Sequence, residues 1–156
     1  MTRHLSLLFA GALALSAGAD ETTRAWPFNG SLAERGGGCS FAVHGAAPAF
    51  VEDGGRSVLA LKGESCAVND DPLYDLAPGM RFACRVRFDE LHPAVGWTTI
   101  LRKSGDDAPG GFFLRVDHAN EGEHLSFFVN LDGSPEPRVS SREPMRTGVW
   151  YDLAAG

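Results

Sequence analysis

Five segments that alternate apolar and polar residues constrain the fold of this chain more than any other feature. Because successive side chains of a strand point to opposite faces, a period of two predicts half-buried β-strands. Turn-forming residues separate the segments at short intervals, and no stretch shows the 3.6-residue period of an amphipathic helix. The sequence therefore predicts one all-β domain, an antiparallel β-sandwich. The segments span residues 82–88, 98–103, 112–118, 125–131 and 149–156.

Shorter strands are expected before the first of these segments. Glycine-rich turns flank a predicted strand near residues 40–44. Two further runs, 58–62 and 66–69, are separated by three residues of turn chemistry, which indicates a hairpin between them.

The alternation also assigns a face to each side chain. Apolar residues of the later strands fall on one side and are predicted to face the core: Phe112, Leu114, Val116, Leu125, Phe127, Val129, Leu131, Val149, Tyr151 and Leu153. The other side is polar and is predicted to be at least partly solvated: Arg85, Arg87, Arg115, Asp117, Asn130 and Asp152. Cross-strand charge pairing and a ligand-binding row both account for such a polar side.

The N-terminus has the pattern of an export signal. Arg3 and His4 precede an apolar run from Leu5 to Leu15, and Ala17-Gly18-Ala19 has the small residues that a signal peptidase requires. The run is shorter than the roughly 20 residues of a membrane-spanning helix. We therefore predict a signal peptide over residues 1–19, a secreted or extracytoplasmic domain over residues 20–156, and no membrane span.

Charge limits the partners of the exported domain. The full chain carries a formal charge of −6, and loss of Arg3 with the leader would make it −7. A phosphate-binding protein needs a basic face to release counterions, so this balance disfavours nucleic acid.

Three cysteines remain after the predicted cleavage. Cys84 is in phase with apolar residues and is predicted to be a buried thiol. Cys39 and Cys66 lie near predicted loop ends, and an oxidising compartment favours a disulfide between them. The spacing fits no zinc site.

Several motifs, in order along the chain, resemble a known family. Residues 26–30 (WPFNG) are similar to its "W-x-F-[DN]-G" opening, and the other matching segments are 57–63, 82–88, 97–103 and 149–156. Together they resemble laminin-G-like jelly-roll domains of the concanavalin A-like lectin/glucanase superfamily. Arg87 replaces a frequent aromatic residue, and Asp152 replaces a histidine. The resemblance implies a jelly roll that is incomplete at its C-terminus, because further strands normally follow the last motif.

The resemblance leaves two function classes open. The first is a secreted, non-catalytic recognition domain that binds an extracellular glycan or protein. The second is an accessory module or fragment of a larger carbohydrate-active or cell-surface protein. Related glucanases use a Glu-x-Asp-x-x-Glu arrangement, and the acidic residues here lack that spacing, so we predict no catalysis. His118 and His124 are interpreted as exposed loop residues.

Ligand contacts are predicted at Trp97, which can stack on a sugar ring, and at Arg115 and Asp117 in the polar row. Trp26 and Trp150 are assigned to packing. No cofactor is predicted. Calcium is the ion to consider, since acidic loop residues could supply its oxygen ligands, and the candidates are Asp70, Asp71, Asp106, Asp107 and Asp132.

Overall fold

The computed structural model describes twelve parts of the chain, and every structural statement below concerns these parts. They are residues 7–9, 13–17, 22–33, 35, 41–44, 47–62, 65–67, 80–91, 97–103, 109–117, 122–132 and 138–156. Thirteen strands and no helix lie within them. The strands are β1 (Leu7–Phe9), β2 (Leu13–Ala17), β3 (Thr22–Trp26), β4 (Ala42–His44), β5 (Ala49–Asp53), β6 (Arg56–Leu61), β7 (Ser65–Ala67), β8 (Arg81–Phe88), β9 (Trp97–Lys103), β10 (Gly111–Asp117), β11 (His124–Asn130), β12 (Arg138–Pro144) and β13 (Trp150–Ala155).

All strand pairs are antiparallel, which confirms the predicted all-β, antiparallel class. The described chain also contains no helix that is long and apolar enough to cross a membrane. The chain divides into two compact units.

The first unit is organised around β8. Its seven-stranded sheet has the order β3-β2-β8-β1-β6-β5, with β13 also paired to β8, and β4 pairs with β7 apart from it. The alternation of β8 is confirmed, because its apolar residues are buried and its arginines lie on the opposite face. The buried residues are Phe82, Cys84, Val86 and Phe88.

A hairpin between β5 and β6 corrects one prediction. Asp53 pairs with Arg56 around Gly54 and Gly55, which have φ values of 58° and 77°. These left-handed conformations are easy for glycine and suit a two-residue hairpin turn. The hairpin predicted between 58–62 and 66–69 is wrong, because β7 pairs with β4 instead.

Two strands lie inside the predicted leader. β1 pairs with β6 and β8, and β2 pairs with β3 and β8. Cleavage after Ala19 stays a prediction, and residues 18–21 lie outside the described chain.

The second unit contains a four-stranded sheet with the order β12-β11-β10-β9. β10 is central and is buried on both faces, with Phe112, Leu114 and Val116 on one face as predicted. β12 has a single large apolar residue, Val139, and was not anticipated from the sequence.

The faces of β11 differ from the prediction. Leu125, Phe127 and Val129 are only half-buried, and Leu131 is 61% exposed. In contrast, Asn130 is fully buried, and so is Asp117 on the neighbouring strand. The predicted solvation of these two polar residues is therefore wrong, although it holds for the exposed Asp152 and the partly exposed Arg85, Arg87 and Arg115.

The last strand begins one residue later than expected. β13 starts at Trp150, and Val149 is 43% exposed rather than part of the core. Leu153 is buried as predicted, and Tyr151 is half-buried. Within the described chain β13 pairs only with β8, so its other edge has no strand neighbour there.

The cysteines are partly accounted for. Cys84 is a buried free thiol, which confirms its prediction. Cys66 lies in β7 opposite Val43. The described residues contain no disulfide, and the predicted partner Cys39 lies outside them.

Candidate functional site on the second sheet

The three predicted ligand contacts meet on one face of the second sheet. Trp97 pairs directly with Asp117 in the β9–β10 ladder, and Arg115 follows on the same face of β10. The guanidinium carbon of Arg115 lies 5.1 Å from the centre of the Trp97 ring, and its Nη2 lies 3.9 Å from Oδ2 of Asp117. We call this group, together with Phe128, the Trp97 cluster.

A β-bulge brings Trp97 to this face. Leu114 pairs with Leu101, but the next residue, Arg115, pairs with Thr99, so Ile100 is the extra residue. Strict alternation would place residues 97, 99, 101 and 103 of β9 on a single face. The bulge reverses the faces, so that Trp97 and Thr99 join Arg115 while Leu101 joins Leu114.

Phe128 forms the base of the cluster. Its buried ring lies 4.3 Å from the guanidinium carbon of Arg115 and 5.5 Å from that of Arg138. Both distances fit cation–π attraction, in which a cation approaches the negative face of a ring. Neither Phe128 nor Arg138 was predicted from the sequence, because Phe128 falls on the polar side of an alternating strand. The bulge and the cross-strand register, which pairs Phe128 with Arg138, would have been needed to find them.

The guanidinium of Arg115 contacts three neighbouring side chains, but one of its N–H donors has no hydrogen-bond partner in the part of the chain that the structure describes. Phe128, Trp97 and Asp117 surround its guanidinium. Its Nε is buried and has no hydrogen-bond partner among the described residues. A buried donor without a partner costs about 1–3 kcal/mol, which offsets part of the stability gained from the contacts around this guanidinium.

Exposure within the cluster is uneven. Trp97 is 50% exposed, whereas Asp117 is 1% exposed. The indole therefore offers an apolar surface on a rigid strand, with a cation directly beside it. The carboxylate of Asp117 partly neutralises the charge of Arg115 and is too buried to contact a large ligand.

His124 adjoins the cluster but is already engaged. It pairs with Asp117 across β10 and β11, and its Nδ1 lies 2.7 Å from the backbone oxygen of Ser141. Since a carbonyl only accepts, Nδ1 carries the proton and donates. The interpretation of His124 as an exposed loop residue is wrong, because it is a half-buried strand residue. His118 lies outside the described residues.

A second polar group lies in the first unit and has a structural role. Oδ2 of Asp53 accepts hydrogen bonds from Nη1 of Arg87 at 2.7 Å and from Nε1 of Trp150 at 2.8 Å. Partial burial disfavours the charged form of Arg87, but hydrogen bonds to Asp89 and Asp53 outweigh it and raise the pKa of Arg87. Trp150 also packs against Val58 and Ala60, which confirms its assignment to packing. Trp26, also assigned to packing, is fully buried.

The calcium candidates are mostly outside the described chain. Asp70, Asp71, Asp106 and Asp107 are not described, and Asp132 is exposed. In the parts of the chain that are described, no three His, Cys, Asp or Glu side chains converge in a way that could hold a metal ion.

Comparison with known proteins gives no assignment. Neither the models of protein families, nor the curated proteins, nor the solved structures contain a match to this chain.

Proposed function

We propose that the protein is a secreted, non-catalytic recognition domain that binds an extracellular ligand, with a glycan as the first candidate and a protein as the second. The observation that carries the proposal is the half-exposed indole of Trp97, fixed on β9 beside the guanidinium of Arg115. Export rests on the N-terminal sequence pattern, and N-terminal sequencing of the secreted product should begin at Asp20.

The chemistry of the cluster favours a sugar. A pyranose ring has an apolar C–H face and a rim of hydroxyl groups. An exposed indole offers a flat apolar surface for that face. The adjacent guanidinium offers N–H donors for the hydroxyls. Both groups lie on paired strands, so the backbone that carries them is ordered before a ligand binds.

We further propose a jelly-roll fold of the laminin-G-like kind. The motif order supports this fold, and so does the all-β, antiparallel architecture. We propose that the domain is not catalytic because its acidic residues lack the Glu-x-Asp-x-x-Glu spacing of related glucanases. In addition, His124 already donates a hydrogen bond to the backbone oxygen of Ser141. The alternative remains an accessory module or fragment of a larger carbohydrate-active or cell-surface protein.

Two matched variants test the glycan proposal. Trp97→Ala removes the exposed indole, and Leu131→Ala removes another exposed apolar side chain of the same unit. Against a glycan array, followed by calorimetric titration of the best ligand, Trp97→Ala should weaken binding about tenfold or more, which corresponds to about 1.4 kcal/mol. Leu131→Ala should bind like the unaltered chain. Equal binding by all three proteins would contradict the assignment of Trp97, and no binding to any glycan would favour a protein ligand.

A further inference from the structure

The central strand of the first sheet has two very different sides. On one side β13 pairs with β8 along residues 82–87. On the other side two short strands share β8: β1 covers Val86–Phe88 and β2 covers Arg81–Ala83. Both short strands come from residues 7–17, within the segment predicted to be removed on export.

The two short strands follow β8 in one direction. Phe9 pairs with Val86 and Ala14 pairs with Ala83, so five steps along the N-terminal segment correspond to three steps along β8. The N-terminal segment thus occupies nearly the whole second side of β8.

Loss of this segment would leave backbone groups without partners in the interior of the sheet. β8 would lose pairing at six positions, and β6 would lose it at residues 59–61. β3, whose described pairing is with β2 alone, would lose its sheet neighbour although Trp26 at its end is fully buried. Phe82, Val86 and Phe88 border the same position and are buried. Buried N–H and C=O groups are rarely left unpaired, since each costs as much as a lost hydrogen bond.

The position has a geometry that restricts what can occupy it. β1 pairs with β6 on one edge and with β8 on the other, so an occupant there needs both of its own edges free. Every described strand of the chain is already paired on at least one edge. An intact second copy therefore offers no suitable strand among those described, and a free extended segment is required.

We propose that the second side of β8, where β1 lies between β8 and β6 and β2 lies between β8 and β3, is a strand-acceptor site. It takes up an extended apolar segment of another polypeptide after the leader is removed. The proposal rests on the proposed export. The structure itself supplies the template of the occupant, since Leu7-Leu8-Phe9 and Leu13-Ala14-Leu15 are almost wholly apolar and run antiparallel to β8. The bound segment would form main-chain hydrogen bonds with β8, the binding mode known as β-augmentation.

The test starts from the full chain, with a specific protease site inserted between residues 18 and 21. After purification and cutting, a fluorescent peptide of residues 5–17, with two lysines added for solubility, is offered in excess. The control peptide carries Leu8→Pro and Leu15→Pro, which removes two backbone donors and keeps the peptide apolar.

We expect the cut protein, but not the uncut protein, to bind the peptide of residues 5–17. The cut protein should bind the control peptide at least tenfold more weakly. The proposal is overturned if the cut protein releases residues 1–19 and stays monomeric with an unchanged melting temperature. It is equally overturned by equal uptake of both peptides, or by aggregation that excess peptide does not prevent. N-terminal sequencing of the exported product tests the export separately, and glycan binding by the Trp97 variants is a third, independent readout.

Discussion

Strands β8 and β11 both alternate apolar and polar residues, yet β8 buries its apolar side whereas β11 buries the side that carries most of its polar residues. In β8 the apolar residues are buried and the arginines are turned away. In β11 the fully buried positions include two polar residues, Ser126 and Asn130, while the apolar Phe127 is only half-buried. The difference lies in what the polar side of each strand contacts. Arg85 and Arg87 of β8 pair with carboxylates near solvent, whereas on the polar side of β11 the guanidinium of Arg115 lies over the ring of Phe128.

The largest expected effect comes from two neighbouring phenylalanines of β11. Alternation alone makes Phe127 the core residue, but the structure buries Phe128 at 1% exposure. Phe128→Ala should lower the free energy of unfolding by about 3–5 kcal/mol. Phe127→Ala should lower it by about 1–2 kcal/mol, since its ring is only partly removed from water. Urea denaturation of both variants decides the order, and a larger loss for Phe127→Ala would remove the contrast between the two strands.

On the polar side of β8, we expect the partly buried hydrogen bonds of Asp53 to contribute more to stability than the exposed ion pair of Asp152. Asp53→Ala removes the shared acceptor of Arg87 and Trp150 and should cost about 2–3 kcal/mol. Asp152→Ala is the control, because Asp152 pairs with Arg85 at 3.7 Å and is highly exposed, and it should cost less than about 1 kcal/mol. Similar losses in both variants would show that the Asp53 group has no special role.

The buried side of β8 should give a pH dependence. Burial, with a further contribution from Asp152, raises the pKa of the Cys84 thiol to about 12 from 9.0. The associated stability is complete below the unfolded pKa and is lost as the pH rises from about 9 toward 12. Relative to Cys84→Ala, the unaltered chain should lose on the order of 2 kcal/mol between pH 8 and pH 10.5. Parallel curves for the two proteins over this range would mean that the thiol ionises in the folded state as it does when unfolded.

The smallest effect concerns the polar face of β11. The hydroxyls of Ser126 and Ser140 lie 2.8 Å apart, and Ser126 is fully buried. Ser140→Ala should cost about 1 kcal/mol, because it leaves a buried hydroxyl without its partner. The double variant with Ser126→Ala should recover most of that loss in thermal unfolding. Additive losses would show that the two hydroxyls act independently.

The sequence by itself determined the all-β class, the approximate bounds of β8, β9, β10, β11 and β13, and the buried state of Cys84. These follow from local alternation, which reports the faces of a strand whichever strands lie beside it. The sequence also indicated Trp97, Arg115 and Asp117 as candidate ligand contacts. Alternation alone gave no reason for Trp97 to lie on the same face of the sheet as the other two.

Only the tertiary structure decided which face of β11 is buried, which strand pairs with β7, and where Trp97 points. A bulge at Ile100 exchanges the two faces of β9, and nothing in the local pattern marks that extra residue. The burial of Ser126, Asn130 and Asp117 likewise depends on cross-strand partners, since a polar residue can be buried only where other strands bring its hydrogen-bond and charge partners. Local sequence sets the period of a strand, but its neighbours decide which side is covered.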